Sequence, residues 1–462
     1  MNERICRQLI ALLALLVGLS GFSVALASLA LAGSASTART LNQDLEPATL
    51  SGAAATGLAA VDTASTAKTL DRDLEPVVIT GTAVSALTGF PLDELFVYVY
   101  SGGVWTQIPA QVDKVTATGA YATSEDGLLD ANDEIVFMAK DLSDRAPAGT
   151  SLTDVLPIST GWYEIQVTDP TSPTRKGWAY IVHSSTLTPT FTADYVSFDT
   201  ILHRINAASY SLGFATPKPF ADYLTLGGSY VDIPDRTKMR LLCQIKLDPR
   251  TWLCPITEEE GLPLQDDLIK DGPVRVIVRG GRVLAYGSMA RWTTVLDIPS
   301  YLEGDIRFST DLSPAASGAT HYSAVVPGGV TVDGIADTVA AEPLSPWWQV
   351  STDSGTLIQV ADTTPIGGIQ TNYYLDNSQA DASDTGDRRH YGDTGVYIKD
   401  PNLTFTYTFA LCSLAGTQPN VGATYQAYFM QPLSVAALRE GLSAIYLPAV
   451  MRNVATSSTW PP

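Results

Sequence analysis

The sequence predicts an all-β protein: an N-terminal β-sandwich followed by a larger two-sheet, supersandwich-like domain. Three observations predict it. Apolar and aromatic residues recur with period two in run after run beyond residue 76. Glycine-rich turns punctuate those runs at hairpin spacing. Only residues 434–442 in that stretch carry a helical pattern. The 462 residues carry 28 basic and 48 acidic side chains, a net charge of -20. Such acidity argues against a nucleic-acid partner, because phosphate recognition needs clustered Lys and Arg. Four Cys and four His exclude a disulfide-dense mini-scaffold and disfavour a zinc cluster.

In chain order, residues 1–32 have the layout of a secretory signal. Arg4 and Arg7 precede an apolar run from Leu9 to Ala32, and Ala25-Leu26-Ala27 and Ala30-Leu31-Ala32 fit a small-x-small cleavage site. The alternative is a retained anchor, since the run is long enough to span a bilayer. Either way the expected location is extracellular or cell-surface, with membrane contact only through that segment. Residues 33–76 read as a flexible linker containing a duplication. Residues 37–47 and 66–76 share eight of eleven positions, and two copies are too few for a solenoid.

Residues 77–188 form the first expected sandwich. Leu95, Val97 and Val99 alternate with Phe96, Tyr98 and Tyr100, and Gly102-Gly103 turns the chain into residues 104–108. Residues 162–167 and 178–182 repeat the pattern. Residues 190–435 form the larger domain, beginning after Thr188-Pro189. Expected hairpins join 274–279 to 282–286, and 322–326 to 330–332 through Pro327-Gly328-Gly329. Another turns at Asp248-Pro249 and sets Cys243 opposite Cys254, where an exported protein can form a disulfide; two separate buried thiols are the alternative. Cys412 reads as a small core residue on a strand face. Residues 436–462 form a C-terminal tail. There, Tyr446-Leu447-Pro448-x-Val450-x-Arg452-Asn453 resembles a terminal tail of secreted proteins from certain filamentous bacteria; an edge strand is the plainer reading.

Two acidic loops are candidate cation sites, with calcium as the expected ion because hard cations take several oxygen ligands on a tight turn. The first offers Asp126, Asp130 and Asp133. It lacks the first ligand of an EF-hand, so a structural Asp-Gly turn competes with this reading. The second offers Asp381, Asp384 and Asp387 beside Arg388, Arg389, His390 and Tyr391. A uronate lyase needs a cation to neutralise the sugar carboxylate and a base to take the C5 proton. Arg388 or Arg389 suits the first role, and His390 or Tyr391 the second. Ion pairing within a solvated loop is the alternative. Arg275 and Arg279 share a strand face that suits an acidic glycan, and Trp347 and Trp348 offer rings for sugar stacking or for the core.

The segments Gln107-Ile-Pro-Ala-Gln-Val-Asp113, residues 129–139 and Asp271-Gly-Pro-Val-Arg-Val276 resemble exported bacterial sandwich modules associated with polysaccharide lyases, and a galactose-mutarotase-like supersandwich. The resemblance implies carbohydrate-related work. It carries no diagnostic catalytic motif, so no catalytic residue transfers. The chain also lacks Gly-x-Ser-x-Gly, His-Glu-x-x-His, P-loop and Gly-x-Gly-x-x-Gly motifs. The expected function is a secreted or cell-surface sandwich, non-catalytic, with carbohydrate binding and a polysaccharide or cell-envelope partner. The alternatives are a polysaccharide lyase and a surface-assembly subunit.

Overall fold

The strand Leu95–Ser101 turns through Gly102 and Gly103, both at positive φ (57° and 90°), into Val104–Ile108. Paired left-handed residues are what a tight hairpin with right-handed strand twist requires. The computed structural model describes residues 66–439 and 445–446, apart from 125, 149, 151, 153–155, 159–161, 215–219, 248–249, 261–267, 279–282, 298–301 and 403. Side chains at 242–247, 250–255, 260, 294–297, 302–303 and 445–446 are also outside the description. The expected signal segment, the first linker copy and most of the tail therefore lie outside the described residues.

The protein is all-β, with five antiparallel sheets of three, four, five, six and nine strands among the described residues. The three- and six-stranded sheets close the first sandwich. Val77, Ile79, Ile135 and Phe137 of one meet Val97, Val99, Ile165, Val167 and Ile181 of the other. The nine-stranded sheet is the centre of the remainder. One face packs on the four-stranded sheet through residues such as Leu212, Leu224, Val276 and Leu411. The same face meets the five-stranded sheet through an aromatic cluster in which Phe308 stacks on Tyr407 at 4.9 Å. The opposite face, with Met289, Ile358 and Cys412, packs on Val136 and Met138 of the three-stranded sheet.

Buried polar contacts tie the two halves together. Gln111 Oε1 accepts from the amides of Val274 (3.0 Å) and Arg275 (2.8 Å). Gly272 sits against that amide, where a Cβ would lie 2.4 Å from Gln111 Oε1. Thus the segments 107–113 and 271–276, which carry the sequence resemblance, are in direct contact.

Several expectations change. The helix expected at 434–442 is not formed over its described residues: Ser434–Arg439 is a strand that pairs with Tyr163–Asp169, so this segment completes the first sandwich. The described helix is Gly422–Met430, whose sequence GATYQAYFM has no polar face to give a helical period. The hairpin expected around Pro327-Gly328-Gly329 turns instead at Ala324-Val325, joining Thr320–Ser323 to Val326–Thr331. The second linker copy is not a loose spacer. Leu70 and Arg72 are buried, and the amides of Thr69 and Leu70 donate to Lys176 O at 2.8 and 2.9 Å. Pro234–Leu247 pairs with Arg250–Thr257 as expected, with Cys243 opposite Cys254 in register, while the expected turn at 248–249 lies outside the described residues. The side chains of that cysteine pair are outside the described residues.

Candidate functional site

The outer face of the five-stranded sheet collects most of the charged residues near the second acidic loop. Alternation along Pro234–Leu247 places Lys238 and Arg240 on that face, and alternation along Leu302–Leu312 adds Arg307, Ser309 and Asp311. The loop folds over them. Lys238 Nζ contacts Asp311, and Asp384 at 2.5 Å. Arg240 bridges Glu258 and Asp384 and donates to Thr385 Oγ1 at 2.7 Å. His390 lies between Asp393 (Nδ1, 3.1 Å) and Asp384 (Nε2, 3.4 Å). Burial, then the neighbouring Asp393 carboxylate, lifts Asp311 to about 9 against the pull of Lys238. Burial also pushes Asp384 upward, yet Lys238 and Arg240 pull harder and hold it at about 2. Cations and anions neutralise each other here, which is the condition for burying charge at all.

The loop residues singled out from sequence therefore diverge. Asp384 serves Lys238 and Arg240. Asp381 caps its own loop by accepting from Ser383 N at 2.8 Å and Ser383 Oγ at 2.6 Å. Asp387 accepts from Arg389 N at 2.7 Å. Arg388 and Arg389 are exposed, whereas His390 is buried beneath the loop and Tyr391 is half-buried, its amide donating to Asp311 at 3.0 Å. Arginine and base thus do not share one open groove. Asp311, His390 and Asp393 do approach one another closely enough to hold a cation, a grouping that unites a distant strand with the loop. Sequence reading missed Lys238, Arg240, Arg307 and Asp311. The alternating charges at 236, 238 and 240, and the polar run at 307, 309 and 311, were the available signals.

The first acidic loop is filled from within the protein. Lys114 Nζ lies 2.9 Å from Asp126, 2.6 Å from Asp130 and 2.8 Å from Asp133, and donates to Leu128 O at 2.9 Å. The ammonium stands where a calcium ion would, which corrects the metal reading of Asp126, Asp130 and Asp133. Sequence spacing hid this because Lys114 comes from a different segment.

Arg275 is also a correction. It is fully buried, pairing with Asp113 at 2.7 Å and Glu134 at 2.5 Å beneath the Tyr121 ring, so it is not displayed to a glycan. Arg279 lies outside the described residues. Trp347 and Trp348 sit on opposite faces of Trp347–Ser351, and both are buried. Trp347 packs under the helix start, and Trp348 Nε1 donates to Gln359. Neither offers a ring to solvent, because both faces of the central sheet are covered.

A cavity of about 260 Å³ lies on the face of the nine-stranded sheet turned towards the helix. Met289, Arg291, Val360, Ala410 and Cys412 form its floor, Tyr425, Tyr428 and Phe429 its roof, and residues 71–76 one wall. Ala410 lies in register between Arg291 and Val360, and its short side chain leaves the space that larger neighbours would fill. Arg72 holds the wall to the roof. It pairs twice with Glu75 at 2.6 Å, reaches Asp169 at 2.9 Å, and caps the helix end through Gln431 O (2.9 Å) and Tyr428 O (3.0 Å). Burial lifts Glu75 to about 7, with Arg72 pulling the other way. Burial also pushes the Cys412 thiol up to about 12, so it stays protonated and unreactive.

No family model matches the chain, and no curated protein matches it. The functional reading therefore rests on the residues themselves. Among the described residues no helix is long and apolar enough to cross a membrane.

Proposed function

We propose that this is an exported, non-catalytic β-sandwich protein of the cell surface or extracellular space, a rigid scaffold presenting its loops to a polysaccharide or another cell-envelope component. One observation carries the reading. The charged side chains best suited to chemistry are used to build the scaffold: Lys114 among three aspartates, Arg275 between Asp113 and Glu134, Lys238 between Asp311 and Asp384. The signal-like N-terminus and the net charge of -20 support export and solubility. The resemblance to galactose-mutarotase-like supersandwiches supports a carbohydrate partner. An oxidising location would let Cys243 and Cys254, opposed in register, form a disulfide. In this reading two lysine ammonium groups do the work of calcium in the acidic loops.

The test applies the secreted chain to a glycan array and to uronate polymers, with and without a chelator. The expected result is glycan capture and a melting temperature that both survive chelation, without unsaturated sugar product. Release of unsaturated product would make the protein a lyase. Failure to bind any glycan would favour an assembly subunit.

A further inference from the structure

We propose that the cavity beneath the helix Gly422–Met430 binds a small carboxylic acid with a ring-sized apolar body, its carboxylate facing Arg291. Size argues first. An engineered apolar cavity of about 150 Å³ takes up benzene, and this one measures about 260 Å³. A single ring with a short acid arm fits the larger volume, and a polysaccharide does not.

The lining argues for the chemistry. Apolar and aromatic surface dominates, with few polar groups, which is the usual make-up of a small-molecule site. The acids around it already have cationic partners: Glu75 with Arg72 at 2.6 Å, Asp71 with Arg175 at 2.8 Å, and Asp73 with Lys68 at 3.3 Å. Arg291 brings a guanidinium to the floor, 5.3 Å from the Phe429 ring centroid. A guanidinium has five N–H donors in a planar fork, so a ligand carboxylate can add to the partners it holds within the protein. Anionic recognition in a low-dielectric, aromatic-walled space is then worth more than the same contact in water. The inference is independent of the display reading, because glycan capture would use the outer surface.

The experiment uses the secreted chain and two probes, 3-phenylpropanoate and its neutral counterpart 3-phenylpropanol, followed by calorimetric titration and thermal shift. The acid is expected to bind at one saturable site and raise the melting temperature, with the alcohol at least about tenfold weaker. Ala410→Leu, which fills the floor, is expected to abolish acid binding. Arg291→Gln is expected to erase the preference for acid over alcohol, a ratio readable even where stability changes. Equal affinity for the two probes, binding that persists in folded Ala410→Leu, or no binding of either probe at millimolar concentration would each overturn the proposal.

Discussion

His321 shows how a single buried group sets a pH limit. It is fully enclosed, its ring lies tilted against Tyr374 with centroids 4.8 Å apart, and its Nδ1 has no partner. Burial disfavours the charged imidazolium and lowers its pKa to about 3 from an ordinary 6.5. The unfolded chain takes up a proton as pH falls through about 6.5, while the folded chain resists until about 3. This group's contribution is therefore complete above that upper value and is lost progressively below it, at about 1.4 kcal/mol per pH unit. We expect His321→Gln to narrow its stability gap from wild type, or to overtake it, between about pH 7 and pH 4.5. Urea unfolding at the two pH values checks this; parallel losses in both proteins would exclude the assignment. The same scale explains the acidic loops. Sequence could show where carboxylates cluster, but not that Lys114 from a nearby strand end or Lys238 from a distant strand would fold in to neutralise them.

At the level of the element, most expected hairpins were readable, the one placed at Pro327-Gly328-Gly329 was not, and neither was the α-helix. Period-two alternation, glycine pairs and Asp-Pro are local signals, so the strand pairing within 95–108 and that of Pro234–Leu247 with Arg250–Thr257 follow from neighbouring residues. Ser434–Arg439 reads as SVAALR, a pattern compatible with either structure, and only pairing with Tyr163–Asp169 decides it. Gly422–Met430 lacks a polar stripe: Tyr425, Tyr428 and Phe429 turn towards the nine-stranded sheet and residues 71–76, while its exposed side carries Ala423, Thr424 and Met430. Its first residue must be small: a Cβ on Gly422 would lie 2.0 Å from Trp347 Cε3. Alanine is the better helix former by about 1 kcal/mol, yet the rigid indole cannot yield without disturbing the sheet. Gly422→Ala is expected to cost about 1–3 kcal/mol net, as overpacked cores do. Chemical denaturation measures it, and a neutral or stabilising result would mean the Trp347 ring is free to move.

On the scale of the molecule, the two sandwiches are expected to unfold together. The apolar layer around Val136, Met138, Met289 and Ile358 joins them, and Arg275 from the second half neutralises Asp113 and Glu134 from the first. Calorimetry should show one transition for the described residues 66–439, which lie within a single compact unit. Arg275→Ala would strand two acids beneath Tyr121 and should cost about 3–5 kcal/mol, lowering that transition. Two resolved transitions in the wild type would refute the coupling. The all-β class was legible because most strands of the first sandwich and several of the second advertise their period. The seam between halves was not, since its contacts join residues more than a hundred positions apart.

The return of Ser434–Arg439 to Tyr163–Asp169 has a consequence for biogenesis. A polypeptide emerges from the ribosome or a translocation pore beginning with its N-terminus, so of the two sandwiches the one that emerges first must wait for a strand that follows the whole of the other. Val435 and Ala437 fill part of its interior. A prematurely terminated product would keep that interior wet and open to proteases. Synthesis as far as Arg439 is thereby checked by a sandwich whose other strands were made long before.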